Sequence, residues 1–112
     1  VAYTMSKFNM SMMALGWADE FKKDGIASNA LWPRTTIDTA AVRNLLGGVA
    51  LANMSRTVDI LADSAYYILS KQNLECTGNT FIDEDVLAKE GITDLSKYSV
   101  VPGGKLFQDL FV

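Results

Sequence analysis

Between residues 3 and 23 large apolar side chains, Met5, Phe8, Met12, Met13, Leu15, Trp17 and Phe21, fall on more than one face of a helical wheel among good helix formers. The pattern predicts a helix covered on most of its sides. Gly16, in mid-helix, costs about 1 kcal/mol relative to alanine, which suggests either the close approach of another backbone or a tolerated defect. Lys22, Lys23 and Gly25 make a helix stop, with cations at the negative end of the dipole and a glycine free to turn left-handed. The helix should end near Asp24.

Residues 26–32 are mainly apolar and closed by Pro33, which predicts a buried strand running into a loop. The loop, 33–39 (PRTTIDT), is rich in side chains that hydrogen-bond locally, and Asp38 or Thr39 can cap a short helix through Leu46, before a break at Gly47 and Gly48. Ser55 or Thr57 can cap the next helix, with Asp59 in its first turn and an apolar body reaching about Ser70. Residues 79–83 predict a second short strand, and 84–90 one or two helical turns stopped by Gly91. Residues 92–112 predict no regular element, although Leu106, Phe107, Leu110, Phe111 and Val112 form an apolar cluster suited to packing.

The order helix, strand, helix, helix, strand implies a crossover between parallel strands, hence an α/β fold. Two strands do not make a stable sheet, and a parallel sheet needs neighbours and cover on both faces. Part of the domain is therefore expected to be missing from this chain or supplied by another.

Composition narrows the function classes. The 112 residues, 49% hydrophobic and 21% charged, suit one packed unit. A formal net charge of −3, with the ten Lys and Arg residues scattered, leaves no basic stripe and excludes nucleic acid as an expected partner. No apolar run reaches the length that crosses a bilayer, and Val1 opens directly into a helical pattern without a signal-like segment, as if mid-protein. Cys76 is the only cysteine, which excludes an internal disulfide and points to a reducing, intracellular site. Which compartment is left open, the end of the chain being no Ser-Lys-Leu address. With no histidine at all, Ser-His-Asp and Cys-His catalysis lack a base and His- or Cys-rich zinc sites lack ligands.

One pair can still carry proton chemistry. Tyr3 and Lys7 are four apart, so on a helix they share a face. A nearby ammonium stabilises a phenolate and brings tyrosine closer to the range where it can exchange a proton with an alcohol or carbonyl. The same spacing also occurs in ordinary surface pairs.

Read in order, AYTMSK, a long helix, IASNALWP, PRTTIDT and TGNTFID resemble the C-terminal half of the short-chain dehydrogenase/reductase family, and NALWP followed by a threonine-rich loop resembles its hydroxysteroid dehydrogenase-like members. The resemblance spans nearly all the chain. It implies the C-terminal portion of a Rossmann-like, doubly wound parallel sheet, an incomplete domain over 1–112 running from the catalytic helix to the last strand and the tail. It implies Tyr3 as general acid/base, Lys7 as the residue that lowers its pKa and holds the nicotinamide ribose, and Pro33, Ile37 and Thr39 as further contacts to NAD or NADP. Arg34 stands where the family usually has glycine, and Thr35 or Thr36 lengthens the loop, which leaves open which threonine reaches the cofactor.

The implied substrate is a small carbonyl compound or secondary alcohol, with lipid-like ones suggested by the hydroxysteroid dehydrogenase-like members, and the implied assembly a homo-oligomer through the 3–23 helix, by a face with Phe8, Met12 and Trp17. Trp32, Tyr66 and Tyr67 are expected in core and subunit packing, and Cys76 is expected to be inert. No glycine-rich dinucleotide loop and no NAD- or NADP-selecting charge occur in the chain, and the family's catalytic serine and asparagine are expected ahead of Val1. The chain alone should not turn over. The rival reading is a non-catalytic homologue that serves as an oligomerisation or interaction module.

Overall fold

The computed structural model describes residues 1–112, the Asn73 side chain apart. It has four α-helices, α1 (Ala2–Glu20), α2 (Gly48–Ala52), α3 (Asp59–Leu69) and α4 (Asp83–Lys89), and two strands, β1 (Ala30–Trp32) and β2 (Thr80–Ile82). The strands pair in parallel, with Ala30 opposite Thr80, Leu31 opposite Phe81 and Trp32 opposite Ile82. Parallel pairing of strands this far apart in sequence requires a crossover, which the segment holding α2 and α3 provides.

The ends of these elements have local causes. Lys22–Asp24 tighten into a 3-10 turn, and Gly25 takes φ 73°, the left-handed stop read from the sequence. The first predicted strand is shorter than 26–32. The Ile26 amide donates back to the Phe21 carbonyl, and residues 28 and 29 are tied to the 76–79 loop: the Ser28 amide donates to Thr77 Oγ1 at 3.0 Å, and Asn29 Nδ2 to the Cys76 carbonyl at 3.0 Å. These side-chain bonds interleave with two backbone ones, from the Gly78 amide to the Ser28 carbonyl at 2.8 Å and from the Ala30 amide to the Asn79 carbonyl at 2.9 Å, and no regular ladder forms. The second strand likewise ends at Ile82, because Asp83 already opens α4.

The predicted short helix through Leu46 becomes a π-helical turn over Val42–Leu46. Of its two cap candidates Thr39 takes the position, its hydroxyl accepting from the Val42 amide at 3.4 Å, while Asp38 pairs with Arg43 at 2.6 Å. Neither Ser55 nor Thr57 caps α3. Ser55 Oγ bonds the Leu51 carbonyl and Thr36 Oγ1, and the Thr57 hydroxyl leans toward Asp59. Residues 92–112 are more ordered than their composition suggests, with a 3-10 turn at Ser96–Tyr98 and bridges pairing Arg56 with Ser99 and Thr35 with Gln108.

The core gathers Ile37, Ile60, Leu87 and Tyr98, with Leu61, Tyr67, Ile92 and Leu95 packed against them. It lies between α3, α4 and the returning tail. Helix α1 sits outside this core, touching β1, and only Ala14 and Ala18 of it are buried. The expectation of a helix covered on most sides is thus not met within this chain, nor, among the described residues, does any other segment come within 4 Å of the Cβ position that Gly16 lacks. Tyr3, Met5, Phe8, Met10, Met12, Leu15 and Trp17 are exposed. The physical reason is the sheet: two strands of three residues are too narrow to cover a nineteen-residue helix.

Candidate active site

Tyr3 and Lys7 occupy the first two turns of α1, and their spacing stacks them on one side, Lys7 Nζ lying 5.5 Å from the centre of the Tyr3 ring. Tyr3 is half exposed at 54%. Its ring stacks on Phe111 at 6.1 Å between centres, and Phe111 meets Phe8 and Trp32 edge-on at 5.4 and 5.6 Å. Trp32, at the end of β1, donates its indole N–H to Ser11 Oγ of α1 at 2.8 Å. An aromatic cluster and one hydrogen bond thus join the helix of Tyr3 and Lys7, the strand end and the tail.

These elements border an open hollow of about 410 Å³ lined by Tyr3, Pro33, Thr36, Ile37 and Thr39 together with Val42, Leu46, Leu51, Phe107, Asp109, Leu110 and Phe111. Four of the five residues singled out in the sequence, Tyr3, Pro33, Ile37 and Thr39, therefore meet in one hollow. Lys7 faces an adjoining hollow of about 390 Å³ that shares Pro33.

Backbone hydrogen bonds set the shape of the loop after β1. The Thr36 amide donates to the Phe107 carbonyl at 3.0 Å, Arg56 N–H to the Thr36 carbonyl at 3.0 Å, and Asp38 N–H to the Arg56 carbonyl at 2.8 Å. The three threonines then differ. Thr36 is engaged with Ser55 at 2.7 Å, Thr35 is buried with its hydroxyl unpartnered among the described residues, and Thr39 lines the cavity with only a long bond to Val42.

The charges around the loop are ordered as well. Arg34 approaches Glu84 at 3.8 Å and Asp85 at 3.2 Å, and the nearly buried Arg56 pairs with Glu84. The Arg43 guanidinium holds the Asp38 carboxyl below the usual carboxylate range. Burial pushes the Asp83 carboxyl above it, against the opposing pull of amide hydrogen bonds from Arg34 and Glu84.

The Lys7 ammonium in one hollow, and the Thr39 hydroxyl with the apolar Pro33 and Ile37 in the other, are groups of the kind that a ribose and a flat apolar ring would need. Sequence reasoning missed two features of the site. The packing of Phe111 on Tyr3 had only the tail's apolar clustering as a signal, and the burial of Asp83 beneath the loop had none.

Comparison with known proteins bears on the same segment. No family model matches the chain. Hydroxysteroid dehydrogenase-like protein 2 of Xenopus tropicalis is 52% identical over 111 residues, covering 99% of this chain and 26% of the relative. The Homo sapiens protein of that name is 49% identical over the same shares. A solved short chain dehydrogenase from Mycobacterium thermoresistibile superposes with a TM-score of 0.84 at 53% identity, over 98% of this chain and 39% of that one. Over nearly its whole length the chain is similar to one part of the short-chain dehydrogenase/reductase family. A solved structure from Xanthomonas campestris that carries a dehydrogenase name agrees, with a TM-score of 0.89 at 47% identity over 98% of this chain and 40% of its own. The chain thus spans about a quarter of its curated relatives and two fifths of these solved dehydrogenases, and its small parallel sheet is one part of their Rossmann-like fold.

Proposed function

We propose that this chain supplies the proton-exchanging part of an NAD(P)-dependent oxidoreductase that interconverts a carbonyl and a secondary alcohol, residues 1–112 forming the part of the domain from catalytic helix to last strand and tail. The observation that carries the reading is the meeting of Tyr3 with Pro33, Ile37 and Thr39 in one cavity, one helical turn from Lys7. A bound nicotinamide supplies or accepts the hydride. In reduction the Tyr3 hydroxyl donates its proton to the carbonyl oxygen, and in oxidation Tyr3 takes it from the alcohol. The Lys7 ammonium sits beside the Tyr3 ring and serves as donor to the ribose hydroxyls, while Pro33, Ile37 and Thr39 hold the ring and its carboxamide. The apolar part of the lining, Val42, Leu46, Leu51, Leu110 and Phe111, suits an aliphatic or lipid-like substrate.

NADH and NADPH titrations followed by fluorescence test this reading on the intact protein. Binding that weakens in Lys7→Met, while the protein stays folded, is the expected result; no binding of either nucleotide would remove the reading.

One observation favours the second reading, an oligomerisation or interaction module. The face of α1 with Phe8, Met12 and Trp17 is exposed and apolar, as a surface awaiting a partner would be. We include homo-oligomerisation through this helix in the proposal as compatible with catalysis. The module reading by itself requires self-association without nucleotide affinity.

A further inference from the structure

We propose that Asp83 is a positioning residue for the cofactor site, its buried carboxylate clamping the Arg34 amide and so fixing the 33–39 loop against the first turn of α4. The inference rests on the cofactor role proposed above for that loop.

Asp83 is fully buried at 0% exposure, an expensive place for a carboxyl group unless its hydrogen bonds matter. Its Oδ1 accepts two amides, that of Glu84 at 2.7 Å and, across a separation of 49 residues, that of Arg34 at 2.9 Å. No ion pair reaches it among the described residues, and Oδ2 has no partner there. The Glu84 bond alone would be ordinary support for a helix start. The Arg34 bond does something else, because Arg34 follows Pro33, the residue shared by the two hollows at Tyr3 and Lys7.

The Arg34 backbone is gripped from both sides. Its N–H goes to Asp83, and its carbonyl accepts the Asp109 amide at 3.0 Å, two residues before the Phe111 ring that stacks on Tyr3. The Asp109 carboxylate in turn accepts the Phe111 amide at 3.1 Å. A continuous set of contacts thus runs from Asp83 through Arg34 and the tail to the ring of the proposed proton donor. Beneath it, Ser64 Oγ of α3, which bonds the Ile60 carbonyl at 2.7 Å, lies 3.2 Å from the Asp83 carbonyl. The Arg34 side chain adds contacts to Glu84 and Asp85, partly exposed and weaker.

Asp83→Ser and Asp83→Asn separate this role from simple helix capping. Serine caps helices well but is too short to span to Arg34, whereas asparagine keeps the Oδ1 acceptor. In the intact protein, amide exchange at Arg34 and the affinity for NADH and NADPH are measured together with thermal unfolding. Asp83→Ser should unfold near the wild-type temperature, lose protection at Arg34 and bind nucleotide about tenfold more weakly, the scale of one lost charge-assisted hydrogen bond. The loss should appear in KM for the cofactor and not in kcat at saturation. Asp83→Asn should restore both protection and affinity. Unchanged Arg34 protection in Asp83→Ser overturns the clamp, whatever the nucleotide data. Lost protection with unchanged affinity overturns its role in positioning. If the wild type binds neither nucleotide, the cofactor reading itself fails and this role goes with it, while the exchange result still reports whether the clamp exists.

Discussion

Tyr98 carries the largest fully buried side chain among the described residues and donates its hydroxyl proton to Asp63 Oδ2 at 2.6 Å. Burial first, and the Asp63 carboxylate second, push its pKa up from 10.0 to about 12. The folded protein therefore keeps a proton that the unfolded chain releases near 10.0. This contribution is complete below pH 10.0 and is lost as pH rises through about 12, at about 1.4 kcal/mol per pH unit between those values. Tyr98→Phe should cost the intact protein about 1 kcal/mol at neutral pH and remove that alkaline slope, both read by denaturant unfolding across the range. The residue scale is also where legibility divides. Tyr3 and Lys7 are visible in the sequence because a spacing of four on a helix is a local fact. Phe111 on Tyr3 and Asp83 under Arg34 are contacts between distant segments, and nothing in local spacing specifies them.

Among the elements, α1 departs furthest from its sequence pattern. Its existence and its Gly25 stop follow from propensity, but its burial depends on a sheet wider than this chain provides. Met12, 70% exposed, adds little to the packing of one chain. Met12→Lys should change stability by less than about 0.5 kcal/mol if the protein is monomeric. If α1 is the oligomer face proposed above, the substitution should lower the molar mass measured by light scattering at the same concentration, and an unchanged oligomer would exclude this face. By contrast, Leu87 of α4 is buried against α3 and the tail. Leu87→Ala should destabilise the intact protein by about 2–5 kcal/mol, the cost of a cavity where α3 and α4 meet. That meeting was legible only in part: both helices show in the sequence, whereas the return of Tyr98 into their core does not, because 92–112 has no periodic pattern.

At the scale of the molecule the chain is a slab of 46 × 37 × 19 Å with a radius of gyration of 15.2 Å. A compact domain of this length has about 13 Å. The excess, the two short strands and the bare α1 face agree with a chain spanning 39–40% of the dehydrogenases it superposes on. Expressed by itself, the segment should bind an apolar dye and melt without a sharp transition, checked by dye fluorescence and calorimetry. Its α/β class could be read from the order of elements alone, since a strand–helix–helix–strand succession supplies the crossover that the observed parallel pairing needs. Its incompleteness could be read from the strand count.

The most direct test of the account is the rate at which the intact protein oxidises NADH or NADPH with a panel of aliphatic ketones and aldehydes, compared between wild type and Tyr3→Phe. Both should bind nucleotide equally, and the variant should lose about 10²–10⁴ of the wild-type turnover, the usual contribution of a positioned acid. Equal turnover in the two proteins would contradict Tyr3 as the proton donor, and with it the central claim.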